Sequence, residues 1–337
     1  ILSMNSYERV MNRLKGRAVD RAPNFCILMN FAAQYSNVCY KDFCLVPEKM
    51  VEANLRCRED FATDIVTVMS DPYGEAMDYG MKVDFPDQGS PIVRQTLWQE
   101  EPDATDLPTL TLEQTTRMKA RVDTIALYAQ RVKGECPIAG WVEGAVASYC
   151  VLRGIGEAMM DFASRESFLH EILDKITKQA IVYIKAQVKG GADIIGVGDA
   201  ACSLLGPELY QEYGFVYEKR LIDAIHAEGA LAKLHICGNT QPLLNKIALL
   251  NADIFDVDSM VDFSLAASIL RGHSAVSGNL NPVDVLLNGS PASITREVHR
   301  CLAQGNETSI ISGGCETPQA TPPCNLRAVA QALAGGI

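Results

Sequence analysis

The chain has 337 residues, 48% of them hydrophobic, and 30 basic against 41 acidic side chains give it a formal charge of -11. That length and apolar share suffice for a large buried core, and the acidic balance excludes the concentrated basic surface that phosphate recognition requires, so no nucleic-acid partner is expected. No run approaches a membrane span, and no charged-then-apolar leader ends in a small-residue cleavage site, so the expected location is the cytosol, with no membrane contact.

Tyr7 to Lys15 reads as an amphipathic helix within an N-terminal helical extension over about 5–22, closed by Asp20-Arg21-Ala22-Pro23. A first strand is predicted at Asn24 to Asn30, a helix at about Pro47 to Arg58 and a second strand at Asp64 to Val68, followed by the polar loop Ser70-Asp71-Pro72. From about 76 to 110 the pattern weakens. Met81 to Phe85 and Ile92 to Thr96 there read as a small antiparallel elaboration, too short for a core of its own.

A helix over about Leu112 to Val132 leads to a third strand, Pro137 to Gly144. Helices over about Ser148 to Ala163 and Glu166 to Lys189 precede the fourth, Asp193 to Asp199. A proline-started helix from about Pro207 to Glu228 precedes the fifth, which runs from Leu231 through His235 and Cys237. The sixth, seventh and eighth are Ile254 to Asp258, Ala275 to Asn279 and Ser309 to Ser312.

Nearly continuous apolar strands alternating with amphipathic stretches are the pattern of a parallel sheet covered by helices. Eight of them predict one (β/α)8 TIM barrel spanning 1–337, with an open doubly wound sheet as the alternative. The placement of polar residues favours the barrel. Asp71, Glu143, Asp199, Cys237, Asp258, Asn279 and Cys315 all fall at or just beyond the C-terminal end of a strand, the face on which barrel enzymes build their sites.

The 11 cysteines are odd in number and lack framework spacing, so most read as reduced core fillers. Two of them do not. On the fifth strand His235 and Cys237 share one face, because alternate side chains point the same way. Ile310 to Cys315 ends another apolar run with a further thiol. His nitrogen and Cys thiolate are zinc donors, and three protein ligands with an open fourth position is the catalytic pattern, so His235, Cys237 and Cys315 are the predicted zinc ligands. Cys324 and Cys202 are rivals for the third place, while His170, His226, His273 and His299 fall on presumed helices or turns and are given no role. The carboxylate of Asp258 either occupies the open position until substrate displaces it or caps the next helix.

His235-Ile236-Cys237-Gly238-Asn239, Gly278-Asn279-Leu280-Asn281-Pro282 and Ser312-Gly313-Gly314-Cys315 resemble the zinc-dependent methylcobamide:coenzyme M methyltransferases of the uroporphyrinogen decarboxylase superfamily, a family of (β/α)8 barrels. The likeness extends from the Lys15-Gly16…Asp20-Arg21-Ala22-Pro23 opening to the last helix. It implies Zn2+, a methylcobamide (corrinoid) presented by a partner protein, and a small thiol such as coenzyme M as methyl acceptor, or, in the other direction, a methylated substrate that loads the corrinoid. Asp258, Asp199 and Asp71 are then the acids expected in catalysis, and Glu143, Tyr149 and Asn279 the expected substrate contacts. A metal-free decarboxylase is the runner-up, since Ser70-Asp71 and Tyr149 match its substrate-contact positions. Against it, Asn30 to Tyr35 lacks the arginine motif that clamps substrate carboxylates, and Cys315 stands where decarboxylases carry a late histidine. A non-catalytic corrinoid- or tetrapyrrole-binding protein is a third reading, and exposed apolar helix faces leave room for a homodimer.

Overall fold

The computed structural model describes residues 3–335; residues 1–2 and 336–337, the outermost ends of the expected domain, lie outside them. Among the described residues nine strands form: β1 (Val66–Thr67), β2 (Lys82–Asp84), β3 (Ile92–Gln95), β4 (Ile138–Glu143), β5 (Ile194–Gly198), β6 (Leu231–His235), β7 (Ile254–Val257), β8 (Ala275–Leu280) and β9 (Ile310–Gly313). β1 and β4 to β9 pair in chain order as one parallel sheet, while β2 and β3 make a separate antiparallel pair within the expected elaboration. Every residue of β4, β5, β7, β8 and β9 is buried, as a sheet demands when helices cover its outer face and side chains fill its interior.

The sheet curls into the (β/α)8 barrel expected from the sequence, with one departure. The first predicted strand, Asn24 to Asn30, forms no ladder; it touches β9 through a single parallel bridge, Asn24 to Ile311. Phe25 N donates to Ile311 O (2.8 Å), Ile311 N to Pro23 O (3.0 Å) and, on the opposite side, Asp64 N to Asn24 O (2.9 Å), so residues 23–25 close the ring between β9 and β1. Side chains explain why pairing stops there. Pro23 has no N–H to give, the Cys26 N–H is taken by Asn24 Oδ1 (3.2 Å), and Met29 turns left-handed (φ 38°) into a helix, Asn30–Tyr35, that the sequence reading missed along with Tyr40–Leu45.

Two predicted helices also differ. The span 148–163 is two helices, Ala145–Arg153 and Ile155–Ser164, separated at Gly154, whose φ of 92° favours glycine. The span 207–228 passes through a π-helical turn, Tyr210–Phe215, before continuing as Val216–Ala227. Among the described residues no helix is long and apolar enough to cross a membrane.

The N-terminal end of the barrel is plugged. Phe25, Ile65, Ala139, Ile194, Ile254 and Ile310 form an apolar layer beneath the sheet interior, and Val10, from the helix Ser6–Leu14, seals it from below. Burying one such aliphatic side chain is worth about 1.5–3 kcal/mol. Asp64 then fastens the plug: fully buried, it accepts from Ser6 Oγ (2.8 Å), Arg9 Nη1 (2.8 Å), Arg21 Nη1 (2.6 Å) and Asn24 N (2.8 Å). One carboxylate thus ties the first helix, the ring-closing segment and the approach to β1.

Candidate metal centre

At the opposite end, the strand termini bring three donors together. His235 is the last residue of β6, and Cys237 lies two residues past it rather than within the strand. Cys315 follows β9 across the Gly313-Gly314 turn. Gly314 is required there: a Cβ on it would lie 2.4 Å from the Ser259 backbone nitrogen, so only glycine lets this turn pass the one after β7. His235 Nε2 stands 2.9 Å from Cys237 Sγ, and the two sulfurs are 3.2 Å apart, both free, where a disulfide would need about 2.05 Å. The three donor atoms lie within 4.8 Å of one another.

Neighbours fix the donors. β6 and β7 pair with His235 opposite Asp256, and Asp256 Oδ2 lies 2.7 Å from His235 Nδ1, leaving Nε2 to face the sulfurs. Lys233, one residue pair back on the same face, forms an ion pair with Asp256. Burial pulls the His235 pKa down, but its bonds to Asp256 and Cys315 outweigh this and raise it to about 9. The bond from Cys237, with His235 alongside, holds Cys315 down near 4 against the effect of burial, while Cys237 is pushed up by its bond to Cys315 and by burial. One nitrogen and two sulfurs, the imidazole oriented by a buried carboxylate, are the soft, borderline donor set that suits zinc.

Over the donors lies a cleft of about 190 Å³, small beside the roughly 300–1,000 Å³ of drug-sized sites. Ile27, Met29, Met69, Pro72, Trp141 and Ala200 form apolar walls, with Ser70, Glu143 and Glu316 as the other polar lining besides the donors. Glu143, at the end of β4, accepts from Trp141 Nε1 (2.8 Å), and its own N–H donates to Glu75 Oε1 (3.0 Å). Burial first, and the nearby Glu75 charge second, push its pKa up to about 8.

The other predicted residues are not all brought here. Asp258 supports the site from the side: Oδ2 accepts from Gly238 N (3.0 Å) and Oδ1 from Met260 N (3.0 Å), pinning the turn that carries Cys237. Asp71 is paired with Arg117 beneath the wall, and this neighbour holds its pKa low despite burial. Asp199 faces away into a sealed cluster, accepting from Ala147 N (2.7 Å) and from Cys202 Sγ (3.1 Å) beside Glu218, where burial raises its pKa. This removes Cys202 as a third donor to the His235 cluster, and Cys324 is exposed with Asn325 as its neighbour. Tyr149 is fully buried with its hydroxyl on Asp161 (2.6 Å), and the Asn279 amide is spent on Asp258 O (3.1 Å) and Val261 O (2.8 Å). Neither lines the cleft. Asp256, Lys233, Trp141 and Glu75 were not singled out from the sequence. Their signal was there: a charged side chain inside an otherwise apolar buried strand, as at Lys233 and Asp256, is rare unless it is paired.

A model of the uroporphyrinogen decarboxylase (URO-D) family matches residues 5–335. The chain is 26% identical over 329 residues to the methylcobamide:CoM methyltransferase MtbA of Methanosarcina mazei, covering 95% of each. It is 25% identical over 344 residues to a uroporphyrinogen decarboxylase of a Synechococcus strain, covering 96% of this chain and 92% of that one. Its fold superposes on a solved methyltransferase from Methanosarcina mazei with a TM-score of 0.88 at 21% identity, over 98% of both chains.

Proposed function

The chain belongs to the uroporphyrinogen decarboxylase family, and from that starting point we propose that it is a zinc-dependent methyltransferase that moves a methyl group between a corrinoid held by a partner protein and a small thiol. The observation that carries this reading is the convergence of His235 Nε2, Cys237 Sγ and Cys315 Sγ at the floor of a small cleft. The likeness to a methylcobamide:CoM methyltransferase supports it. A decarboxylase would need neither thiolate and would need a larger, carboxylate-clamping cavity.

A zinc ion held by these three residues would supply Lewis acidity at its open position, bringing the pKa of an incoming thiol down into the neutral range. The rest is done by the chain. Asp256 fixes the His235 ring and Asp258 the Cys237 turn, so the donors are set before anything binds. The apolar walls strip water from the sulfur, which makes it a better nucleophile. Trp141 holds Glu143 Oε1, so the proton that this acid retains near neutral pH sits on Oε2. In the transfer proposed, the thiol sulfur would bond to the methyl carbon as the cobalt–carbon bond of the corrinoid breaks, the electron pair of that bond staying on cobalt (Co(III) to Co(I)) and the thiol proton being released; in reverse, the same cleft would take a methylated compound and load a Co(I) corrinoid.

Purified protein should contain about one zinc per chain and should demethylate methylcobalamin when a thiol is supplied, followed by the change in corrinoid absorbance. Zinc retained in full by Cys237→Ala and by Cys315→Ala, or carboxyl loss from a porphyrinogen by the native protein, would overturn the reading.

A further inference from the structure

The charges around the cleft say what the thiol carries at its other end. Three basic side chains approach the site, and each is already committed to an acid: Lys233 to Asp256, Arg117 to Asp71 and Arg121 to Glu75. None of the three is more than 6% exposed, so none can swing out to a ligand without leaving a buried carboxylate alone. Among the described residues, the cleft lining contains no lysine or arginine; its only ionisable side chains besides the three donors are Glu143 and Glu316. These two sit on opposite sides, Glu143 at the end of β4 and Glu316 next to Cys315 after β9. Glu316 Oε1 has only a long contact, 3.4 Å from Asn30 N, and keeps accepting capacity toward the cleft.

The charge of a zinc ion at the floor would be met by the two ligating sulfurs and the incoming one, so a sulfonate, carboxylate or phosphate at the far end would lose its hydration with no basic side chain to replace it, and a carboxyl facing it adds repulsion when ionised and no compensation when neutral. An uncharged group meets apolar walls that suit it, and an ammonium group meets two carboxyl groups that accept its hydrogen bonds. Resting on the methyl-transfer reading above, we infer that the cleft selects a small thiol, or its methylated counterpart, whose far end is uncharged or cationic, and that Glu143 and Glu316 set this preference by excluding anionic thiols such as coenzyme M. The cleft volume of about 190 Å³ limits that partner to a few heavy atoms beyond the sulfur.

Three thiols of matched length test it: cysteamine, 2-mercaptoethanol and coenzyme M. In protein whose metal has been replaced by Co(II), each is titrated while the sulfur-to-cobalt absorption band is followed, and each is then assayed as acceptor for methylcobalamin. The expected order places cysteamine and 2-mercaptoethanol at least about tenfold ahead of coenzyme M in affinity and in kcat/KM. Glu316→Gln should narrow that gap and Glu316→Arg should reverse it, each checked for native circular dichroism and full cobalt content. Coenzyme M leading in the native protein, or no gain for it in folded, cobalt-loaded Glu316→Arg, overturns the inference while the methyl-transfer reading stands. If no thiol perturbs the band and none is methylated, the reading beneath falls and this inference falls with it.

Discussion

The two ends of the barrel use the same kinds of side chain to opposite purposes. At the N-terminal end Asp64 is surrounded by four donors, two of them guanidinium groups, and nothing ionisable is left without a partner of opposite sign in its immediate network. At the C-terminal end Glu143 and Glu75 lie close enough that one raises the other's pKa, and two sulfurs and an imidazole converge without a covalent bond joining them. The first arrangement is complete by itself. On the proposed reading the second is completed by a metal and a thiol, and that difference would separate the end that stabilises the fold from the end that binds.

The contrast is most sharply broken at the sulfurs. Cys237→Ala and Cys315→Ala should each take zinc from about one per chain to near zero and abolish methyl transfer, as read by metal analysis, while urea unfolding of the metal-free forms stays close to that of metal-free native protein. Asp64→Asn should do the reverse. Removing the charge takes the carboxylate partner from Arg21 and leaves Arg9 with Asp20 alone, and breaking a buried ion pair of this kind costs about 3–5 kcal/mol. The unfolding midpoint should fall accordingly, with zinc per folded chain unchanged.

Asp256→Asn lies between these extremes, since it acts on the donors only through His235 Nδ1. A carboxylate behind a ligating histidine is typically worth about 10–100-fold in metal affinity, which competition with a chromophoric chelator would measure. The most gradual expected effect is at Glu143. In the folded chain it stays protonated up to about pH 8, against an ordinary value of 4.5. Between those values the folded chain holds a proton that the unfolded chain has lost, so stability declines as pH rises through that window, by about 1 kcal/mol per pH unit. Glu143→Gln should flatten the decline, as seen in urea midpoints compared across the window; an unchanged slope would mean that another acid is responsible.

Much of this was legible in the sequence because the signals were local. Parallel strands buried on both faces are almost uninterrupted apolar runs, so β4 to β9 stood out, and His-x-Cys and Gly-Gly-Cys at two strand ends marked the donors before any fold was known. The failures came where side chains competed with the backbone. Asn24 to Asn30 reads as a strand, yet the Asn24 amide takes the N–H that a ladder would use. Tyr149 and Asn279 stand near the correct strand ends, but direction along a helix or into a neighbouring loop is not encoded in spacing, and both side chains turn away from the cleft. By spacing alone Asp256 and Asp258 fall on one strand face, though β7 ends before Asp258, and attention to the outer acid hid the inner one, whose partner became visible only through the register that sets His235 opposite Asp256.

The ring-closing segment has a consequence for motion. Ladders join β1 and β4 to β9 in turn, whereas residues 23–25 touch β9 through one bridge and the approach to β1 through one hydrogen bond, and it is beside the β9 seam that Ile27 and Met29 on one flank meet Cys315 and Glu316 on the other, linked by Thr317 N to Ile27 O (2.7 Å). Local opening follows the places with fewest cooperative contacts. The wall of the cleft can therefore part at the seam while the remaining ladders stay closed, and amide exchange at Ile27, Ile311 and Thr317 should run ahead of exchange at Gly196 or Leu234 in the same barrel. The joint that makes the ring imperfect would then act as the hinge by which its contents enter and leave.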